Sequence, residues 1–387
     1  MRWLQRVFLL SVLLFLQYGC ASFDRYPVDA ELLEEPVKTT VDSASAQYYL
    51  NHYLQGERLD AKLDQRIDDV YRQYSAAFPD RADLVQISSQ FSNDFAALFL
   101  ADRLWQDQQN REVQKVFQHY LSMPEELLYE PPPSMEDYVI LLVPGWNYVN
   151  NGHITGSDFA APMRLLERLE VENELLLVPS NGSVMQSASV IAESILEHSA
   201  ANKKIIVVGA SAAGPAIHYT LGKLLDHDQL GDVVAWLNLG GILQGSPLVD
   251  YFQEWPQKMV LNIALALYGW DNEEIMSMSA AQSRERVKSL NLPPDIIVIN
   301  YMGLSLTGSL SSLSTYKYPL IADQGPNDGM TPLIDIIAPG GMTLVAIGSD
   351  HYFAEDPEIN LKTIAMVKTV FELMRRQQRE QQPPDAP

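Results

Sequence analysis

The chain has a single cysteine, Cys20, among its 387 residues, so an intrachain disulfide is excluded and no cross-linked scaffold can be invoked. Positive charge is scarce as well: 27 Lys and Arg face 49 Asp and Glu, for a formal net charge of -22. Such a surface repels a phosphate backbone, and no Lys/Arg cluster occurs away from the N-terminus and one short stretch near the C-terminus. Nucleic acid is therefore not an expected partner, and electrostatic adhesion to anionic lipid is disfavoured. The chain also lacks H-E-x-x-H, paired cysteines, a carboxylate-rich metal loop, and G-x-G-x-x-G after any strand-like run, so neither metal nor cofactor is expected. Apolar residues, by contrast, make up 47% of the chain, enough for a sizeable core.

The N-terminal "MRWLQRVFLLSVLLFLQYGC" places Arg2 and Arg6 before an apolar run from Val7 to Leu16, too short to span a bilayer. Residues 1–19 read as a secretory signal peptide. Cys20 follows small Gly19 and resembles the acceptor cysteine of bacterial lipoproteins, although Gln17 and Tyr18 depart from that motif's usual Leu and small residue. The resemblance implies lipidation of the Cys20 thiol. With Ala21 next, it also implies a lipid-anchored protein of the bacterial cell envelope, at the outer membrane facing the periplasm. The alternative is a chance cysteine beside an ordinary cleavage site. Residues 20–42, polar and acidic with two prolines in "PVDAELLEEPVKTT", read as an extended tether.

From 43 to 134, apolar residues recur at helical spacing, as in "AKLDQRIDDVYRQYSAAF", and predict three or four amphipathic helices in a separate N-terminal region, a candidate protein-binding surface. "EPPPSM", Glu130 to Met135, can continue neither a helix nor a central strand and marks the boundary. Residues 135–376 change texture. "DYVILLV", "ELLLVPS", "KIIVVGA", "VVAWLNL", "DIIVINY" and "MTLVAIG" read as buried strands, with helical patterns between the first four. That alternation predicts an α/β domain with a mainly parallel sheet covered by helices on both faces. Residues 250–294 exceed a normal connection and read as a helical cap insertion. Its apolar "MVLNIALALYGW" is either part of that cap or a helix packed into the body. The last helix is expected from about Pro357 to Arg376, with a disordered tail over 377–387.

In "KKIIVVGASAAGPAIHY" a serine, Ser211, follows a buried strand and precedes a helix, at the carboxyl end of a parallel sheet where crevices form. Gly209, Ala210, Ala212, Ala213 and Gly214 surround it with small residues that let the backbone turn sharply; the plainer reading of such a serine is a helix N-cap. "GASAAG" resembles the nucleophile elbow of the α/β-hydrolases, with Ala213 in place of the final glycine of G-x-S-x-G. A serine nucleophile needs a base and an orienting acid, which this family supplies in the order Ser, acid, His. His351, in "AIGSDHYFAED" after the last strand, sits where the family keeps its base. Asp328, in the glycine-supported turn "NDGMTP", is the expected acid; Asp323 and Asp350 are the rivals. The backbone N–H groups of Ala212 and Trp146 are the expected oxyanion donors, with Asn147 the fallback for the second; "VPGWN" resembles the His-Gly-aromatic loop of lipases with Pro144 in the histidine's place. "GGILQGSPLVDYF" resembles the segment that leads into the cap of bacterial lipases.

The resemblance, spanning about Asp137 to Met374, implies a serine hydrolase of the lipase or carboxylesterase kind acting on small-molecule or lipid esters or thioesters, and the Leu, Ile, Met and Trp of the expected cap favour substrates with an apolar group. The alternative from another class is an envelope lipoprotein that keeps the scaffold for binding without turnover.

Overall fold

A computed structural model describes residues 25–75, 77–132 and 137–381. The signal segment, Cys20 and the boundary between 134 and 135 lie outside the described residues. Among those described, no helix is long and apolar enough to cross a membrane.

The expected tether is in large part a hairpin. β1 (Tyr26–Leu32) and β2 (Glu35–Val41) pair antiparallel, joined at Leu33 and Glu34, both left-handed with φ 52° and 65°. Val28, Leu32, Val37 and Val41 are buried and share one hydrophobic core. The alternation of apolar and charged residues was therefore a strand signal, masked by the acidic composition and the two prolines. Helices α1 (Ala44–Tyr48), α2 (Ala61–Gln73), α3 (Arg81–Gln90), α4 (Asn93–Gln106) and α5 (Gln108–Leu121) follow. They open on side-chain caps where the sequence offers Ser or Asp: Ser43, Asp60, Asp80, Ser92 and Asp107 all accept from first-turn N–H groups.

The sheet is built from β3 (Tyr138–Val143), β4 (Asn173–Leu175), β5 (Lys204–Ala210), β6 (Val233–Leu239), β7 (Ile297–Leu304) and β8 (Met342–Ile347). Its order is β4-β3-β5-β6-β7-β8, parallel throughout. Side chains divide by the two-residue period. Val139, Leu141, Ile205, Val207, Trp236 and Val298 face one core with α8 (Val184–Ala200) and α9 (Ala213–Tyr219). Ile140, Leu142, Ile206, Val208, Leu237 and Ile299 face another with α7 (Ala160–Arg168) and α12 (Ile359–Gln381). The first helix after β3, α6 (Tyr148–Thr155), lies above the strand ends. β4 keeps only Glu174 and Leu175 of the seven residues expected, because it is an edge strand: Leu177 is exposed, and Pro179 has no N–H to pair.

Two further expectations change. The helical region does not stand apart: Tyr49, Phe95, Phe99 and Leu100 share a core with Met302 and Leu304 of β7 and Val345 of β8. It also closes the sheet's open edge. Gln114 of α5, buried, accepts from Val345 N–H at 2.9 Å and donates to Val345 C=O at 3.1 Å, and Asn110 accepts from Thr343 N–H at 2.6 Å. The second change is at the C-terminus, where the helix runs on to Gln381 instead of stopping at Arg376. Gln, Arg and Glu are good helix formers, and Glu372 pairs with Arg375, Arg376 and Arg379 along that face. Residues 382–387 lie outside the described part.

Between β6 and β7 the insertion is helical, including α10 (Gln257–Tyr268) and α11 (Ala280–Val287). No residue of α10 is buried, so "MVLNIALALYGW" belongs to the outer layer of the insertion and not to the body.

Candidate active site

β5 delivers the chain to Ser211, a non-glycine residue held left-handed at φ 54°. Three backbone hydrogen bonds pin the turn: Ser211 N–H donates to Leu239 C=O at 3.0 Å, and Ser211 C=O accepts from Gly214 N–H at 3.1 Å and Ile242 N–H at 3.2 Å. The neighbours are small because there is no room for more. A Cβ on Gly214 would stand 2.7 Å from Gly241 Cα, so the close approach served by the final glycine of the elbow pattern falls one place later, at Gly214.

His351 reaches the same point from the loop after β8. Its Nε2 lies 2.8 Å from Ser211 Oγ and its Nδ1 lies 2.7 Å from Asp328 Oδ2. Both members of the His351–Asp328 pair have nearly inaccessible side chains. Asp328 is fixed independently: Oδ1 accepts from the N–H groups of Met330 and Thr331, each at 2.8 Å, and its C=O accepts His351 N–H at 3.0 Å. That leaves Oδ2 for the imidazole. The two rival carboxylates are engaged elsewhere: Asp323 is exposed and accepts from Gln324, while Asp350 accepts from Ser311 N–H, Ser311 Oγ and Tyr352 N–H.

Pro144, Gly145 and Trp146 follow β3 directly, and a Cβ built on Gly145 would stand 3.6 Å from Ser211 Cβ, so this loop lies against the serine. Among the described residues neither Trp146 N–H nor Ala212 N–H has a backbone acceptor. Asn147 N–H does, donating to Ser180 C=O at 2.5 Å, which removes the fallback donor. The insertion touches the site here: the Trp146 and Trp270 rings meet edge to face at 4.7 Å, and Tyr268 stacks on Trp270 at 4.9 Å.

Of the other histidines, His218 is buried against Trp236 at 5.7 Å, and burial pushes it down to about 4, so it is neutral and structural. Among the described residues no group of three or more His, Cys, Asp or Glu could hold a metal. Sequence reasoning passed over Lys317 and Tyr352. Lys317 Nζ donates to the Tyr352 hydroxyl, and burial pulls the ammonium down to about 8 against the opposing pull of Asp350 and Asp328. Tyr352 was signalled only by its adjacency to His351, and Lys317 not at all.

The chain is similar to a solved metagenomic carboxyl esterase, with TM-score 0.51 and 18% identity over 64% of this chain and 78% of that one. It is also similar to Staphylococcus hyicus lipase, with TM-score 0.50 and 13% identity over 65% of this chain and all (100%) of that one. No protein-family model and no curated protein matches the sequence. At these identities the likeness is one of fold, and the fold is that of the α/β-hydrolases.

Proposed function

We propose that this chain is a serine hydrolase that cleaves carboxylic esters or thioesters through an acyl-enzyme. The observation that carries the reading is the unbroken line of hydrogen bonds from Ser211 Oγ through His351 to Asp328. In the proposed reaction Ser211 Oγ attacks the carbonyl carbon as its proton passes to His351 Nε2. Asp328 holds the imidazole in position and stabilises the imidazolium. The carbonyl oxygen gains charge near the Trp146 and Ala212 N–H groups, which have donors to spare. Collapse breaks the bond to the leaving oxygen or sulfur, which takes the proton from His351. Water, deprotonated by the same imidazole, then releases the acid and restores Ser211. An apolar acyl or alkyl group fits the surroundings best, because Trp146, Trp270 and Tyr268 stand over the loop and Met259, Ile263 and Leu267 of α10 face outward.

A fluorophosphonate probe followed by mass mapping tests the assignment. Labelling at Ser211 that disappears in Ser211→Ala and in His351→Ala is the expected result. A folded protein inert to the probe would favour the binding scaffold instead. For the envelope we propose attachment through Cys20, a reading supported by the sequence of residues 1–20 alone. Metabolic labelling with a palmitate analogue checks it, and equal incorporation into Cys20→Ser would refute it.

A further inference from the structure

His351 lies among more negative charge than a lone triad acid supplies. Asp328 is in contact with its ring, Asp350 is the preceding residue, and both carboxylates are buried. Two nearby anions favour the imidazolium form, and an imidazolium cannot accept the serine proton.

A cation is built in opposite them. Lys317 Nζ sits over the Tyr352 ring, 4.4 Å from its centroid, and donates to the Tyr352 hydroxyl, which also lies 3.5 Å from Met330 Sδ beside the acid turn. The Tyr352 ring in turn meets the His351 ring edge to face at 5.5 Å. Tyr352 is therefore the strut between the ammonium and the imidazole. Its own N–H donates to Asp350 at 2.9 Å, so the strut and the second anion are held together. The groups that face Lys317 are Tyr316 on its own segment, 5.7 Å from ring centroid to Nζ, Tyr352 and Asp350 on the loop after β8, and Asp328 on the acid turn. Glu355, also after β8, acts on Tyr316 and Tyr352 but spends its carboxylate on Ser312, accepting from both N–H and Oγ at 3.0 Å.

We propose that Lys317 is a positioning residue whose ammonium, held by Tyr352, offsets the Asp328 and Asp350 charges and so keeps His351 neutral and able to act as base at neutral pH. This rests on the serine hydrolase reading. Because Lys317 is pulled only to about 8, it is charged at neutral pH.

Two measurements on the full chain test it: kcat/KM for p-nitrophenyl butyrate from pH 5 to 9, and the NMR titration of the His351 ring, assigned by its loss in His351→Ala. Lys317→Met is expected to move the acid limb and the ring's titration midpoint upward by about half a pH unit or more, from loss of one nearby charge. The alkaline plateau is expected to survive within about twofold, so that raising the pH rescues the variant. Lys317→Arg, which keeps charge and ring stacking, is expected to overlay the parent. Profiles that superimpose after scaling, or a Lys317→Met loss equal at every pH, would overturn the proposal and leave Lys317 a packing residue. Lys317→Gln is read in the same way if the methionine variant melts early. Should the parent show no turnover and no labelling of Ser211, the hydrolase reading falls, while the NMR comparison still decides whether Lys317 governs His351 protonation.

Discussion

Ser211 is held in a backbone conformation that a side chain resists. A left-handed residue with a Cβ costs on the order of 1 kcal/mol relative to glycine, and the surrounding turn sustains it through three hydrogen bonds. Two variants separate that strain from the hydroxyl. Ser211→Ala and Ser211→Gly both remove the oxygen, but only glycine relaxes φ. Urea unfolding is expected to find the glycine variant more stable than the alanine variant by about 1 kcal/mol, with ester hydrolysis lost in both. For the acid, Asp328→Asn can keep the bonds from Met330 and Thr331 while removing the charge that steadies an imidazolium. A fall in kcat of roughly a thousandfold or more, with the fold's melting temperature little changed, is expected from steady-state kinetics and calorimetry. These positions were legible because each needs an element end with small or turn-forming neighbours, which a linear sequence displays. Lys317 was not, since its significance comes from which charges surround it in space.

At the scale of elements, what could be read from sequence was what has a period. Five of the six sheet strands are continuous apolar runs with both faces covered, and their positions followed from composition alone. The hairpin at 26–41 alternates too, yet charge and proline made it look like a linker. Nothing local marked Gln114 and Asn110 as the partners of an edge strand, because a polar residue on a helix is ordinarily read as facing water. The edge contact has a measurable consequence. Gln114→Ala leaves Val345 N–H and C=O buried and unpaired, which is expected to cost about 1–3 kcal/mol in chemical denaturation. Leu267→Gln on α10 gives the contrast: the side chain is 61% exposed, so stability is expected to stay within about 0.5 kcal/mol. Hydrolysis of esters with longer apolar chains is where that substitution should register, as a raised KM.

The whole molecule is joined across its N-terminal helices by buried acid. Asp94 at the start of α4 is fully buried; it accepts from Asp42 N–H at 2.7 Å, and from Thr307 N–H at 3.0 Å and Thr307 Oγ1 at 2.6 Å in the segment after β7. Burial raises it to about 7, with repulsion from Asp42 adding to the effect, and burial also raises Asp42. Asp335 is raised to about 6 by burial despite its bond to Arg81 of α3, where the helical region meets the body a second time. All three are acids whose folded form holds its proton more tightly than the unfolded chain does. Through these three acids the native state binds more protons between about pH 4 and 7, and stability falls as pH rises through that window; buried His218, held down at about 4, offsets part of that fall below its ordinary value of 6.5. The acids lowered in the fold, Asp356 and Glu372, act with the opposite sign but below the ordinary carboxylate range. The unfolding free energy, measured in urea at steps from pH 4.5 to 7.5, is accordingly expected to decline by on the order of a few kcal/mol. Asp94→Asn, which offers a carbonyl oxygen to Thr307 without a charge, should flatten that decline, and an unchanged slope in this variant would mean that the pair does not govern the junction.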